Sequence, residues 1–579
     1  MKTYFYVLST LILLSACGKN DEGLPLDEFG YRFKAFLLEN FDWDKDGVIS
    51  PEEAAAITEI DCSNRDIYSL LGIEYFPNLE VLICSNSNLH YAGLIVTDNP
   101  KIHTIICDNN NIESLDVSNN PRLKTLICDN NLIEELDVSN NPALETLTCS
   151  SETGLKTLTL SPSIKKLDIS GHRLTSFDFS GNKNLLELYC SGNELISLDI
   201  SRTNLEILEC GGEKFKTIHI EDCSTLKTIV CSGDGFSLDL SLCSYLERLI
   251  VTAVASLDVS QSPVLKTLHC FNSRLQHLDL THNPALEELK LTGTALGTIN
   301  LNNNFQLVSV DLGRSLNQSM LDLSNRKALK ELASGRGEWT LESLNLSGCT
   351  SLESINLEFG TIQILNVSGC QALTVLRCHN SRLTEIDLKG CVNLLTVDCS
   401  WNNLTELELG DCTRLTDLNC SGNQLTSLST RSANLVTLNC VSNFITAINF
   451  RNHTRIKELY CGDNKLTALD LTGCTSLVEL DCRNTPSLET LTLTNCSALE
   501  KLFTTYCSLT RLDVSPCTAL THLYCADNRL QPSLDASRCT ELIELNCTIN
   551  PDLTELVLNR NHTINPLQKD AHTQISLVN

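Results

Sequence analysis

Two short segments of alternating apolar and polar residues recur along the chain at a fixed interval. The first has the pattern Leu-x-x-Leu-x-Cys, as at Leu123, and the second has the pattern Leu/Ile-Asp-Val/Leu-Ser, as at Leu136. The first pattern opens again at Leu144, 21 residues after Leu123. Such alternation predicts short β-strands, and the Asn, Gly, Pro and Ser residues between the segments predict turns. The sequence therefore predicts a solenoid whose 21-residue coils carry a strand on each long side.

The repeat also sets the predicted domain boundaries. It occupies residues 60–559. Its cysteines disappear over 313–340, which indicates a bulged coil, a kink or a boundary between two arrays. Residues 560–579 drift from the pattern and are predicted to form a C-terminal cap or tail. A solenoid needs such caps because its end coils otherwise expose the core and an unpaired strand edge.

The longer form of the first segment resembles the leucine-rich-repeat family in its short bacterial form. The residues that carry the resemblance follow Leu-x-x-Leu-x-Cys-x-x-Asn-x-Leu in the segments that begin at Leu123, Leu394 and Leu415. The resemblance implies a leucine-rich-repeat solenoid of mainly parallel β-structure, with two short strands per coil and a small helical N-terminal cap. At the observed period, the repeats amount to roughly two dozen coils.

The N-terminus carries an export signal. Lys2 supplies a positive start, and the apolar run from Tyr4 to Leu14 is shorter than the roughly 20 residues that a membrane-spanning helix needs. The run ends in small residues before Cys17 and resembles a bacterial lipobox. We therefore expect residues 1–16 to be a signal peptide, Cys17 to carry lipid, and residues 17–26 to form the anchor and linker. The acidic stretch after Cys17 resembles surface-display signals, so we expect an outer-membrane, lipid-anchored protein at the cell surface.

Residues 27–59 do not follow the repeat and are predicted to form a helical cap around a calcium loop. The segment between Asp42 and Glu53 matches the twelve-residue EF-hand loop, with Gly47 at the sharp turn. The predicted oxygen ligands are Asp42, Asp44, Asp46, Val48, Ser50 and Glu53. Sensor EF-hands normally come in pairs, and the sequence offers one loop, so a structural Ca²⁺ is favoured over a switch. The cap resembles those of internalin-type proteins. An acidic loop that binds nothing is the alternative.

The 29 cysteines follow the coil period, which favours a packing role. One set recurs at intervals of 20 or 21 residues, from Cys378 through Cys399 to Cys420. A second set, which includes Cys370 and Cys391, shares its place in the coil with asparagines. Both positions are therefore predicted to face inward as free thiols. Disulfides between coils and a thiol-rich metal store are the alternatives; the chain has no Cys-x-x-Cys motif of the kind that zinc sites use.

Composition and motif content exclude several classes of function. The net charge of −28 argues against a nucleic-acid partner, because phosphate binding requires basic density. The 12 histidines are scattered, and neither a zinc-protease, nucleophile-elbow nor phosphate-loop motif occurs. Adjacent pairs such as His269 and Cys270 point to opposite faces of a strand and so form no catalytic dyad. We therefore expect no enzymatic activity.

Outward residues of the first strand segment are the predicted ligand-binding positions. Towards the C-terminus these positions become aromatic and basic, which is the composition of binding surfaces. The candidate ligand-binding residues are Tyr460, Arg483, Phe503, Tyr506 and Tyr524. Tyrosines also pack well on any sheet face, which is the alternative interpretation.

These observations predict an exported, lipid-anchored leucine-rich-repeat binding protein. The family resemblance favours adhesion or recognition at the cell surface, with a protein or glycan as ligand. The partner would be an extracellular or envelope macromolecule, and contact with the membrane would be through the lipid anchor alone. The alternative function is a periplasm-facing scaffold for an export or nutrient-uptake complex.

Overall fold

The computed structural model describes residues 23–25, 30–89, 94–152, 154–201, 203–220, 223–294, 296–313, 316–334 and 340–579. The predicted signal peptide, the lipidation site Cys17 and most of the linker lie outside these residues. No helix in the described ranges is long and apolar enough to cross a bilayer. The chain divides into two compact units, the first of Met1–Ile196, Arg202–Leu205 and Glu209–Gly212, the second of Ser197–Ser201, Glu206–Leu208 and Glu213–Asn579.

The first unit begins with two helices and continues as coils. Helix α1 spans Tyr31–Phe41 and buries Phe33, Phe36 and Leu37, whose spacing places them on one helical face. Helix α2 spans Pro51–Ala56. We call the side of each coil that carries the Leu-x-x-Leu-x-Cys segments the first side, and the opposite side the second side. The first-side strands are β1 (Glu59–Asp61), β2 (Val81–Ile83), β4 (Thr104–Ile106), β6 (Thr125–Ile127), β8 (Thr146–Thr148), β10 (Lys166–Asp168) and β11 (Glu187–Tyr189). The second-side strands are β3 (Leu94–Ile95), β5 (Leu115–Asp116), β7 (Glu135–Asp137) and β9 (Thr157–Thr159).

The second unit repeats this arrangement. Its first-side strands are β15 (Thr228–Ser232), β16 (Arg248–Thr252), β17 (Thr267–Phe271), β18 (Glu288–Lys290), β19 (Ser309–Asp311), β21 (Glu331–Ala333), β23 (Ser354–Asn356), β25 (Val375–Arg377), β27 (Thr396–Asp398), β29 (Asp417–Asn419), β31 (Thr437–Asn439), β32 (Glu458–Tyr460), β34 (Glu479–Asp481), β36 (Lys501–Phe503), β37 (His522–Tyr524), β39 (Glu544–Asn546) and β41 (Leu567–Gln568). Its second-side strands are β12 (Ser197–Asp199), β14 (Thr217–His219), β20 (Asn317–Asp322), β22 (Thr340–Asn345), β24 (Thr361–Asn366), β26 (Glu385–Asp387), β28 (Glu408–Leu409), β30 (Ser429–Thr430), β33 (Ala468–Asp470), β35 (Thr490–Thr492), β38 (Ser533–Asp535), β40 (Glu555–Asn559) and β42 (Gln574–Val578). Strand β13 (Ile207–Gly211) contains residues of both units.

Parallel pairing keeps equivalent residues of successive coils side by side. Strand β6 pairs with β4 and β8, so that Leu126 lies between Ile105 and Leu147. All three side chains are fully buried, and burial of each stabilises the fold by about 1.5–3 kcal/mol. The predicted fold is therefore confirmed: the chain is a leucine-rich-repeat solenoid of about 24 turns with a period of about 21 residues.

A buried asparagine closes the turn after the first-side strand in many coils. Asn402 donates from Nδ2 to the carbonyls of Cys378 (2.8 Å) and Cys399 (2.9 Å). Its Oδ1 accepts from the N–H groups of Ser381 (3.0 Å) and Leu383 (2.9 Å). One side chain thus satisfies backbone groups of two coils that are out of reach of water, which removes a cost of about 1–3 kcal/mol for each unpaired group.

The cysteines of the described chain are buried free thiols, as predicted. In the first set Cys399 is fully buried, and Ile169 and Val251 occupy the equivalent place in other coils, so the thiol fills the position of an aliphatic core side chain. In the second set the thiol also donates a hydrogen bond, as from Cys391 Sγ to the Val367 carbonyl at 3.1 Å. Burial raises the pKa of the Cys399 thiol to about 12, so it stays protonated and unreactive.

The irregular stretch near residues 313–340 contains larger coils. Ser309, Glu331 and Ser354 lie opposite one another on successive first-side strands, so these two coils contain 22 and 23 residues. The additional residues extend the second side, where β20, β22 and β24 each contain six residues. Within the described residues this stretch is thus a set of enlarged coils that keep the parallel register.

One inward position in this stretch holds an arginine. Arg326 is 3% exposed and donates from Nη2 to the Leu301 carbonyl at 2.7 Å. Its Nε and Nη1 atoms are buried with no hydrogen-bond partner among the described residues. The Phe305 ring, 4.2 Å from the guanidinium carbon, offers the charge a cation–π contact. Burial lowers the pKa of Arg326, which reflects the cost of enclosing its charge.

We expect most thiols to react with a maleimide only after denaturation, because the pattern of burial protects them. Cys399→Val should leave the melting temperature nearly unchanged, whereas Cys399→Ser should lower stability by about 1–3 kcal/mol because it buries an additional hydroxyl. Labelling in native and denaturing buffer, with mass spectrometry, measures the first effect and thermal unfolding the second. Rapid native labelling of many cysteines would contradict the packing role.

Candidate functional sites

An acidic loop joins α1 to α2 and contains the predicted metal ligands. Carboxylate oxygens of Asp42, Asp44 and Asp46 lie within 4.8 Å of one another. The Asp46 N–H donates to Asp42 Oδ1 and to Asp44 Oδ1, each at 3.2 Å, and so orients both carboxylates. Gly47 adopts φ 89° at the turn, a conformation that glycine reaches without steric cost. The Val48 N–H donates to Asp46 Oδ1 at 2.9 Å. The loop therefore gathers three carboxylates by its own backbone.

The last two predicted ligands, Ser50 and Glu53, form a capping box at the start of α2. Glu53 Oε2 accepts from the N–H and hydroxyl of Ser50 at 2.8 and 2.9 Å, while the Glu53 N–H donates to Ser50 Oγ at 3.2 Å. Glu53 Oε1 accepts from the Trp43 N–H at 2.8 Å and so ties the end of the loop to its beginning. Glu53 is thus held at the loop, but through both of the oxygens with which an EF-hand glutamate would bind Ca²⁺.

The electrostatics of the loop suit a cation. A backbone hydrogen bond from Asp46 acts to lower the pKa of Asp44, but burial and the charges of Asp46, Glu53 and Asp42 together raise it. Burial acts to raise the pKa of Glu53, and its hydrogen bonds from Ser50 and Trp43 lower it overall. The convergent carboxylates therefore repel one another while Glu53 remains ionised. An all-oxygen set of this kind fits a hard cation such as Ca²⁺, held by Asp42, Asp44 and Asp46 with Glu53 adjacent.

The first side of the second unit carries the predicted aromatic positions. Parallel register places Tyr460, Asp481, Phe503 and Tyr524 in one outward row across β32, β34, β36 and β37. The rings of Phe503 and Tyr524 are stacked, with centroids 5.2 Å apart and planes 11° from parallel. The Arg483 guanidinium lies over the Phe503 ring at 5.0 Å. The structure therefore brings Arg483, Phe503 and Tyr524 into one cluster, which we call the aromatic row cluster.

Acidic residues fix this cluster in place. Arg483 binds Asp481 through two hydrogen bonds, from Nε to Oδ1 at 3.0 Å and from Nη2 to Oδ2 at 2.7 Å. The Tyr524 hydroxyl donates to Glu544 Oε2, and this hydrogen bond raises the pKa of Tyr524. The guanidinium plane is thus oriented along the Phe503 ring by a two-point contact, which is the geometry that Arg forms with a carboxylate.

The other two predicted residues lie beside the cluster. Tyr460 neighbours Asp481 in the row, and burial together with Glu479 and Glu458 raises its pKa to about 12, so the phenol stays protonated. Tyr506 lies in the turn after β36 with φ 59° and is 51% exposed. Tyr506 therefore lies outside the outward row of the strands, in the adjacent turn.

An apolar row in the first unit was missed by the sequence interpretation. Ile83, Ile106 and Ile127 are adjacent in register on β2, β4 and β6 and are partly exposed at outward positions, where most coils place polar residues. The sequence did contain a signal for this row, because each of the three isoleucines directly precedes a cysteine of the first set. Exposed β-branched residues in consecutive strands form a continuous apolar strip.

The chain matches no protein-family model and no curated protein. Among solved structures it is similar to the functional domain of InlJ from Listeria monocytogenes, which includes a cysteine ladder, with 22% identity over 73% of this chain and 76% of that one and a TM-score of 0.39. YopM from Yersinia enterocolitica shows 23% identity over 82% and 88%, with a TM-score of 0.44. A TDR receptor shows 15% identity over 85% and 92%, with a TM-score of 0.50. At these identities the likeness is one of fold, and the fold is that of a leucine-rich-repeat solenoid.

Proposed function

We propose that this protein is an exported, lipid-anchored recognition protein that binds a macromolecular partner through outward side chains of its first-side strands. The observation that carries the proposal is the aromatic row cluster of Arg483, Phe503 and Tyr524, which presents preordered aromatic and guanidinium groups on a rigid sheet. Such groups dominate the binding energy of protein interfaces. The role we propose is adhesion or recognition at the outer-membrane surface, without catalysis.

The charge around the cluster indicates the chemistry of the partner. Four carboxylates border it: Glu458, Glu479, Asp481 and Glu544. Lys501 pairs with Glu479 at 3.1 Å and Arg483 with Asp481 at 2.7 Å, which leaves the border acidic on balance. A protein surface with an apolar centre and a basic rim complements this pattern, and charge complementarity accelerates encounter.

We also propose that the acidic loop of the cap binds one structural Ca²⁺. Bound calcium would neutralise the mutual repulsion of Asp42, Asp44 and Asp46 and hold the turn between α1 and α2. The dissociation constant expected for extracellular sites of this kind, about 10⁻⁴–10⁻³ M, would be met outside the cell. The cap packs at the start of the coil array, so its order contributes to the stability of the first coils.

Removal of calcium is expected to lower the melting temperature, because chelation restores the repulsion within the loop. Asp42→Ala should abolish this sensitivity, while Asp98→Ala, an exposed aspartate elsewhere in the first unit, should retain it. Because Trp43 lies within the loop, Tb³⁺ should show luminescence on tryptophan excitation that Ca²⁺ displaces and that Trp43→Phe removes. Melting curves unaffected by calcium, together with absent Tb³⁺ luminescence, would reject the site.

Substitution in the aromatic row cluster should weaken partner binding. Peptides selected on the purified protein from a random display library are expected to be enriched in Lys or Arg beside apolar residues. Phe503→Ala and Arg483→Ala should each reduce their affinity by roughly tenfold, or about 1.4 kcal/mol. Phe444→Ala and Arg431→Ala, exposed residues of the same types outside the row, serve as controls. Equal affinity for all four variants would show that the cluster is not the binding surface.

Protease treatment of intact cells is the experiment that tests the cellular role. Loss of the protein from intact, protease-treated cells of the producing bacterium, with a periplasmic marker preserved, is the expected result. Cleavage only after lysis would instead favour the periplasm-facing scaffold. Cys17→Ser should release the protein from the membrane fraction, because it removes the thiol that would carry lipid; continued membrane association of this variant would contradict the lipid anchor.

A further inference from the structure

The second side of the second unit contains a place where three adjacent strands interrupt their alternation together. Buried Leu341 and Leu344 on β22 are three residues apart, and buried Ile362 and Leu365 on β24 repeat this spacing in register. In a regular β-strand, side chains alternate between the two faces, so inward residues lie two positions apart. Each strand therefore turns two consecutive side chains outward, and the pairing keeps its register because the neighbouring strands do so together.

The first outward residue of each pair, Glu342 on β22 and Gln363 on β24, lines a groove of about 610 Å³. Its walls include Asn317, Thr340, Gln363 and Thr384, side chains that carry amide or hydroxyl groups and no charge. The volume falls within the range of about 300–1,000 Å³ that small-ligand sites occupy. The groove forms where the coils are enlarged, and insertions in solenoids commonly build the binding face.

The lining is available for a ligand rather than used for packing. Gln363 and Glu342 are exposed, and the inward positions beside them hold leucine and isoleucine. Neither Glu342 nor Arg382 forms an ion pair among the residues that the structure describes, although both line the groove. The Thr340 hydroxyl donates to Asn317 Oδ1 at 2.9 Å and so orients that amide across the groove entrance. The Thr384 hydroxyl likewise donates to the Gln363 carbonyl at 3.1 Å, so part of the lining is ordered within the groove while the exposed Glu342 and Gln363 side chains face solvent.

We propose that this groove binds a neutral oligosaccharide. Amides and hydroxyls both donate and accept hydrogen bonds, which matches the dual character of sugar hydroxyls. The charged residues of the lining are one acid, Glu342, and one base, Arg382. A strongly anionic ligand would be repelled by Glu342 and a strongly cationic ligand by Arg382, so the lining favours a neutral ligand. Leu341 also lines the groove and provides apolar surface for the carbon face of a sugar ring.

An extended peptide fits the groove less well. Peptides that join a sheet do so at a free strand edge, whereas β22 is paired on both sides, with β20 and β24. The groove also lacks the row of apolar pockets that alternate peptide side chains would enter. The site lies on the second side of the coils and involves none of the residues of the aromatic row cluster, so it is independent of the partner surface proposed above.

Titration of the purified full chain with neutral oligosaccharides of two to six units tests the proposal. The probes are the cello-, malto-, xylo- and manno-oligosaccharide series, with binding measured by calorimetry. At least one series is expected to bind, and Gln363→Ala and Arg382→Ala should each weaken it roughly tenfold. Gln276→Ala is the matched control, because Gln276 is exposed at the equivalent position of an earlier repeat outside the groove. Unchanged melting temperatures would establish that the variants fold.

The possible outcomes separate the groove from the other proposed surface. Loss of sugar binding in the groove variants with full binding by Gln276→Ala and by Phe503→Ala supports the groove. Loss in Phe503→Ala alone would place the sugar on the aromatic row cluster and overturn the inference. Failure of every neutral series to bind, or competition for the groove by selected peptides, would overturn it as well.

Discussion

The structure depends on how each coil satisfies the backbone groups of a turn from which water is excluded. In many coils the solution is one buried polar side chain in the turn that bonds to backbone groups of its own coil and of the preceding one. Asn193 accepts from the Leu174 N–H at 3.1 Å and donates to the Ile169 carbonyl at 2.8 Å. Because that bond crosses from coil to coil, local turn geometry and the spacing of the solenoid are set by the same contact.

Other side chains perform the same task where their atoms reach the same groups. His172 accepts at Nδ1 from the Leu155 N–H (3.1 Å), and its Nε2 bonds to the Cys149 carbonyl (2.6 Å), which fixes the neutral tautomer with the proton on Nε2. In the opposite turn of the coil, the thiol of Cys391 donates to the Val367 carbonyl of the preceding coil. The cysteines are thus part of the packing of the interior.

Periodicity explains why the fold was predictable from the sequence and the sites were less so. Inward positions repeat in every coil, so Leu126 and its neighbours could be assigned as core before the structure was known. Outward contacts join residues that the repeat does not relate, as in the bond between Arg483 and Asp481. The sequence identified Arg483, Phe503 and Tyr524 as candidates; it did not predict their stacking geometry or the acidic border. Ligand spacing predicted a calcium loop between Asp42 and Glu53, whereas the engagement of Glu53 in a helix cap follows from the local hydrogen bonds of the structure.

The buried guanidinium of Arg326, two of whose nitrogens have no hydrogen-bond partner among the described residues, affects how an array of this kind comes apart. In a quasi-one-dimensional protein, cooperativity passes only between neighbouring coils, and we expect it to be weakest where a coil encloses a charge that its surroundings only partly satisfy. Pulling force or heat would therefore concentrate strain at this coil and divide unfolding into separate blocks. The same stretch contains two enlarged coils, so the expected site of lowest mechanical resistance lies within a segment that departs from the 21-residue repeat. A solenoid built in this way would yield under shear by opening one joint, while the remaining coils stay folded.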